Sequence, residues 1–221
     1  MGQFSSAAAR GVEAVRHNAK PFLLVQGIAV LLAAGYYLLP GAPAAMASVA
    51  QLKRDGGLPL SALATAIAGA IFPEIARVAT GRKRTGGLEM GFQLLFFGTI
   101  GVLIDLTYRL MGQIFGTDPN VATVAKKVIA DQLIFAPFVS IPFSTAAFAW
   151  KDSGFSIART ANSFRAHGGF LAKCLPTLVT CWGFWAPVLI AVYAMPGDLQ
   201  FPLFLAAQTA WSLLLLHLND R

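Results

Sequence analysis

Charge is what this chain has least of. Only 12% of its 221 residues are charged, against roughly a quarter in an ordinary soluble protein, and that shortage leaves no room for a water-facing catalytic domain. Histidine is scarce as well: His17, His167 and His217 stand in separate segments, so no metal-ligand spacing emerges and no zinc, haem or other cofactor is implied. Cysteine is limited to Cys174 and Cys181. Seven residues apart on one helical face, they do not easily bridge each other within a continuous helix and read as apolar packing residues. No nucleophile with a nearby base is found, and Gly81-Arg82-Lys83-Arg84-Thr85-Gly86 lacks the spacing of a phosphate-binding loop. The expectation is a protein that is not an enzyme.

What is present in excess is apolar: 56% of the chain is hydrophobic. A helix needs about 20 mostly apolar residues to cross the hydrocarbon, and six windows approach that length, Pro21 to Leu39, Leu58 to Ala79, Leu88 to Phe115, Val121 to Trp150, Phe170 to Met195 and Phe201 to His217. The connections between them are short. The fold class expected is all-α, a polytopic transmembrane helix bundle of four to six spans in a lipid bilayer. A short amphipathic interfacial helix joins them: between Lys151 and Gly169, Phe155, Ala158, Ala161 and Phe164 take one side and Arg159 and Arg165 the other.

The formal charge of +7 does not point to nucleic acid, because the basic residues sit at helix ends and in loops rather than in one patch with aromatics. Membrane orientation accounts for them better. With both termini on one face, that face collects Arg10, Arg16, Lys20, Arg77, Arg82, Lys83, Arg84, Lys151, Arg159, Arg165, Lys173 and Arg221. The other keeps Lys53, Arg54, Arg109, Lys126 and Lys127, five of the 17 basic residues. This is the positive-inside asymmetry, and it places both termini in a bacterial cytosol or in an organellar matrix or stroma.

Three segments are expected. Residues 1–20 form an N-terminal amphipathic segment, Arg-containing, Ser- and Ala-rich, acidic only at Glu13, similar to an import signal that stays on the chain; Gly2 and Ser6 also fit a loose myristoylation pattern. Residues 21–57 supply an extra span and a connector, with one interfacial turn closed by Gly56-Gly57. Residues 58–221 form the main bundle, ending in Asn219-Asp220-Arg221, which matches no endoplasmic-reticulum or peroxisomal address. Pro73 bends the helix before Glu74, which lies three residues from Arg77 on the same face, as a helix-end ion pair.

The most informative run is Lys126-Lys127-Val-Ile-Ala-Asp131-Gln132-Leu-Ile-Phe-Ala-Pro137, because a charge deep in lipid costs roughly 2.5 to 3.5 kcal/mol even on lenient scales. Counted from the turn at Asp118 at ~1.5 Å per residue, Asp105 and Asp131 lie ~15 Å deep and Arg109 and Lys127 ~9 Å. Each acid is four residues from its base on a shared helix face. If the faces meet, Asp105, Arg109, Lys127 and Asp131 form a neutral buried cluster with Gln132 beside it. Such a cluster either fixes helix register or lines a hydrated path for small solutes.

These residues resemble the peroxisomal membrane protein 22 or Mpv-type family of small organellar membrane proteins. Lys127-x-x-x-Asp131-Gln132-x-x-x-x-Pro137 reproduces the family's characteristic run. Gly98-x-x-Gly101 with Tyr108 before a basic residue, and Pro196 with Trp211 fifteen residues on, fall at the spacing of two further blocks, so the resemblance covers roughly Leu58 to Leu218. The chain departs from the family where Val102, Asp105 and Thr107 replace Pro, His and Trp, where Gln200 replaces Arg, and where Val188 and Ala191 replace Gln and Asn. The resemblance implies an all-helical protein of the mitochondrial inner membrane, the peroxisome or the plastid. It also implies a channel-like small-solute pore. The rival expectation is a non-conducting accessory subunit of a large respiratory, ATP synthase or photosynthetic complex. The polar groups missing from the fifth span favour that rival, since Trp182, Phe184, Trp185 and Val188 there present a face suited to lipid or partner subunits, bundle core being the other reading.

Overall fold

The computed structural model describes residues 2–166 and 168–218, with side chains from 6 to 212. His167 and Asn219-Asp220-Arg221 lie outside the described residues, as does the side chain of His217. Within them the chain is 88% helical and has no strand. The helices are α1 (Gly2–His17), α2 (Ala19–Leu38), α3 (Ala42–Ala66), α4 (Phe72–Ala79), α5 (Gly87–Phe115), α6 (Val121–Ala130), α7 (Ile141–Asp152), α8 (Ile157–Ala166), α9 (Phe170–Ala194) and α10 (Gly197–Leu218).

Two joints are wound wider than an α-helix, Ile67–Ile71 between α3 and α4 and Asp131–Ser140 between α6 and α7. Prolines cause both. Pro73, Pro137 and Pro142 bring no N–H and crowd the carbonyl four residues back. The chain relieves this by bonding five residues apart, as Phe72 N–H does to Ile67 O and Ile141 N–H to Ala136 O, which is the π-helical pattern.

The chain divides into two compact units, residues 1–23 with 128–187, and residues 24–127 with 188–221. In the first, α1 lies along α9. A side chain at Gly11 would collide with Val179 and the Pro176 carbonyl, and one at Gly183 with Val15, so each helix offers a glycine to the other's valine. The matching order, 11 to 179 and 15 to 183, makes the two helices parallel. Phe22 closes edge-on against Phe184 at 5.2 Å. The N-terminal segment is therefore a packed element of this unit. Nearby, α8 is short and amphipathic, with Phe164 against Phe170 and Lys173 donating to Ser163 Oγ at 3.0 Å. Cys174 and Cys181 are separate thiols.

In the second unit α3 and α5 meet along small residues. Ser61 and Thr65 are fully buried, and Gly101 faces them so closely that a Cβ there would lie 2.7 Å from Thr65 Cβ and nearer still to the Ser61 carbonyl. Close backbone approach of this kind is how helices associate where lipid removes the hydrophobic drive. The segment before this seam differs from expectation. In place of one interfacial turn, residues 42–56 wind about four helical turns and break only at Gly57, whose φ of 52° and ψ of −144° suit glycine alone. The reason is composition: the Ala-rich run after Gly41 carries proline only at the helix start, where it is tolerated.

Five helical stretches, Ala19–Leu38, Ala42–Ala79, Gly87–Phe115, Val121–Asp152 and Phe170–Ala194, are long and apolar enough to cross a membrane, among the described residues. Leu31, Leu95, Ile134, Phe138 and Leu171 on them stand exposed while Asp105, Lys127, Asp131 and Gln132 are buried. Large exposed apolar surface with charge hidden inside suits hydrocarbon as solvent. The protein is an integral membrane protein with an all-α, polytopic bundle.

Candidate functional site

The seam between α3 and α5 sets the site. One turn beyond Gly101 on the same face comes Asp105, 3% exposed, and the closeness of the backbones brings Ser61 Oγ to 2.7 Å from its Oδ2. Lys53, near the end of the helical run before Gly57, donates to the same oxygen at 2.8 Å. Arg109, one turn along α5, reaches back with Nε at 3.2 Å from Oδ1 and Nη2 at 3.3 Å from Oδ2. A carboxylate with two cations and a hydroxyl around it has its lone pairs well satisfied, and its burial is offset by charge-assisted bonds.

Lys127 lies within the same unit, 1% exposed. Its Nζ sits 5.8 Å from the centre of the Tyr193 ring, and among the described residues it has no hydrogen-bond acceptor and no carboxylate partner. Lys53 rides above Phe201 at 5.1 Å. Tyr108 meets Tyr193 edge-on at 5.2 Å and Phe204 at 6.1 Å, so an aromatic floor, whose ring faces attract cations, underlies both ammonium groups.

These residues open onto a cleft of about 460 Å³ in the second unit, lined by Lys53, Asp105, Arg109, Lys127, Gln200 and the start of α10 at Gly197, with the rim pair Arg54 and Asp198. Gln200 donates to Met195 O at 3.1 Å, which ties the turn before α10 in place. Four basic and two acidic side chains line the cleft, leaving an excess of two positive charges.

Asp105, Arg109 and Lys127 line one cleft, and the first two are paired. Asp131 and Gln132 belong to the first unit, where Gln132 Nε2 donates to Asp131 Oδ1 at 3.1 Å. Pro137 acts on Gln132: in a π-helical register the Gln132 carbonyl would receive the N–H of residue 137, which proline lacks, and Trp182 Nε1 donates to it instead at 2.8 Å. Glu74 lies 3.8 Å from Arg77 and is bonded more closely to Thr85, accepting from its N–H at 3.0 Å and its Oγ1 at 2.6 Å. It thereby ties the basic loop to α4. Gly101 is in tight contact while Gly98 has only the Ala62 carbonyl at 3.6 Å from a would-be Cβ. Tyr108 is buried, and Pro196 and Trp211 flank and occupy α10.

Two expectations change. The cluster drawn as Asp105, Arg109, Lys127 and Asp131 has Lys53 and Ser61 as the further partners of Asp105, because the helical run before Gly57 carries Lys53 inward. Of the face expected on α9, Phe184 and Val188 are core, both 0% exposed, and are not presented to lipid or to another subunit, whereas Trp182 and Trp185 are half-buried. Sequence reasoning missed Lys53, Ser61 and the Arg54–Asp198 pair. The one signal for Lys53 was its place among the few basic residues of the sparsely charged face. Comparison with protein families, with curated proteins and with solved structures gives no match.

Proposed function

We propose that this integral membrane protein is a channel-like conduit for small solutes, with the charged cleft as its solute-facing station. The observation that carries the reading is a lysine and an ion-paired aspartate buried together at a cleft in a membrane-spanning bundle, since buried charge in such proteins marks solute and ion paths. Four of the five basic residues assigned to the sparsely charged face line this cleft. That supports a topology with both termini on the opposite, charge-rich face. The resemblance to the Mpv-type family supports the mitochondrial inner membrane, with termini in the matrix; peroxisomal and plastid membranes are the alternatives.

A non-conducting accessory subunit of a respiratory, ATP synthase or photosynthetic complex is the second reading, and the tight hold on Asp105 favours it, because a carboxylate held by three side chains fixes helix register without moving anything. On α9, Phe184 and Val188 are core and give it no support, which leaves the half-buried Trp182 and Trp185 as the part of that face open to a partner. Reconstitution of the purified chain in liposomes decides between them. Release of small trapped solutes is expected of the conduit. Folded but silent protein that co-purifies with a large complex would sink it.

A further inference from the structure

The cleft carries two more positive than negative side chains, and one of its cations is unanswered. We propose that it binds a small phosphate-bearing anion, with the Lys127 ammonium as the inner ligand and the Arg109 and Arg54 guanidiniums at the rim. This rests on the reading of the cleft as the solute-facing site and specifies its ligand.

Lys127 is the first ground. An ammonium has three protons to donate and no means of accepting, and this one is 99% buried, with the Tyr193 ring 5.8 Å away and, among the described residues, no hydrogen-bond acceptor. A buried charge is kept when something pairs with it, and the open side of Lys127 is the cleft. The arginines are the second ground. Arg109 spends two N–H groups on Asp105 and Arg54 gives one to Asp198 and one to Gln51 Oε1, out of five each. Both side chains are about half exposed, so their remaining donors are within reach of a ligand. The first turn of α10, at Gly197, borders the same cleft, and its positive dipole end favours an anion there.

Charge and shape narrow the ligand. The excess of two positive charges matches a phosphate ester, which carries about −1.5 to −2 at neutral pH. Donors converging from α5, α6 and the end of the run before Gly57 suit an anion with three terminal oxygens better than a flat carboxylate with two. A volume of about 460 Å³ leaves room for the organic part of such an ester. The phosphate belongs either to a free solute or to a lipid headgroup.

The test uses the full chain in discs of zwitterionic lipid, with its melting temperature followed against inorganic phosphate at constant ionic strength. A saturable rise is expected, and it should vanish in Lys127→Met, whose melting without phosphate should be no lower than that of the parent. Arg54→Gln at the exposed rim leaves the fold intact and is expected to weaken phosphate about tenfold. A rise produced by anionic phospholipid in the disc, with none from free phosphate, also supports the site and assigns the phosphate to a headgroup. No rise from either source, or the same rise in both variants, overturns it. Binding without solute release sinks the conduit and leaves the anion site standing.

Discussion

Among single side chains, Asp105 holds the most together. It accepts from Lys53, Ser61 and Arg109, so Asp105→Asn strands a lysine that is 7% exposed. Breaking a buried pair from one side typically costs about 3–5 kcal/mol, and a loss of that order is expected in reversible unfolding in detergent. Lys53→Met in the same chain should recover most of it, because it removes the charge left unanswered. Unchanged stability of Asp105→Asn alone would refute the pairing. The Asp105 and Arg109 half of the arrangement follows from a spacing of four in a helix. Lys53 was not legible in that way, being 52 residues from Asp105 and next to a glycine pair that reads as a chain reversal.

Between helices, the two glycines of the Gly98-x-x-Gly101 block have different duties. Gly101→Ala drives a methyl into Ser61 and Thr65 and should cost about 1–3 kcal/mol, whereas Gly98→Ala meets nothing nearer than 3.6 Å and should be nearly silent; equal effects of the two on thermal melting would contradict the seam. The π-helical joint allows a sharper test. Trp182→Phe removes the donor to the Gln132 carbonyl and is expected to cost about 1–3 kcal/mol for the stranded acceptor. Pro137→Ala supplies the N–H that this carbonyl lacks. A double-mutant cycle should therefore show Trp182→Phe costing less in the Pro137→Ala background, and additive costs would rule out the exchange of donors. Helices around both joints were legible from apolar length, but their widened turns were not, because a proline announces a lost bond without saying which turn absorbs it.

For the chain taken together, α5 is the cleanest span. In a background where Cys174 and Cys181 are replaced by alanine, single cysteines at Lys83 and Asp118, before and after α5, should label from opposite sides of a sealed vesicle with a membrane-impermeant reagent. Labelling from the same side would show that α5 does not cross. The shortage of charge and the run lengths alone were enough to specify helices in a bilayer, because hydrocarbon leaves no other partner for unpaired backbone groups. They were also enough to mark Asp105, Arg109, Lys127, Asp131 and Gln132 as costly residues. Which of these share a site was settled by packing. The close approach at Gly101 and the long helical run before Gly57 bring Lys53 and Ser61 to Asp105, and that pairing leaves Lys127 as a buried cation at the cleft without a carboxylate partner among the described residues. Periodicity along one helix reports which side chains share a face; it carries no record of which distant face comes to meet it.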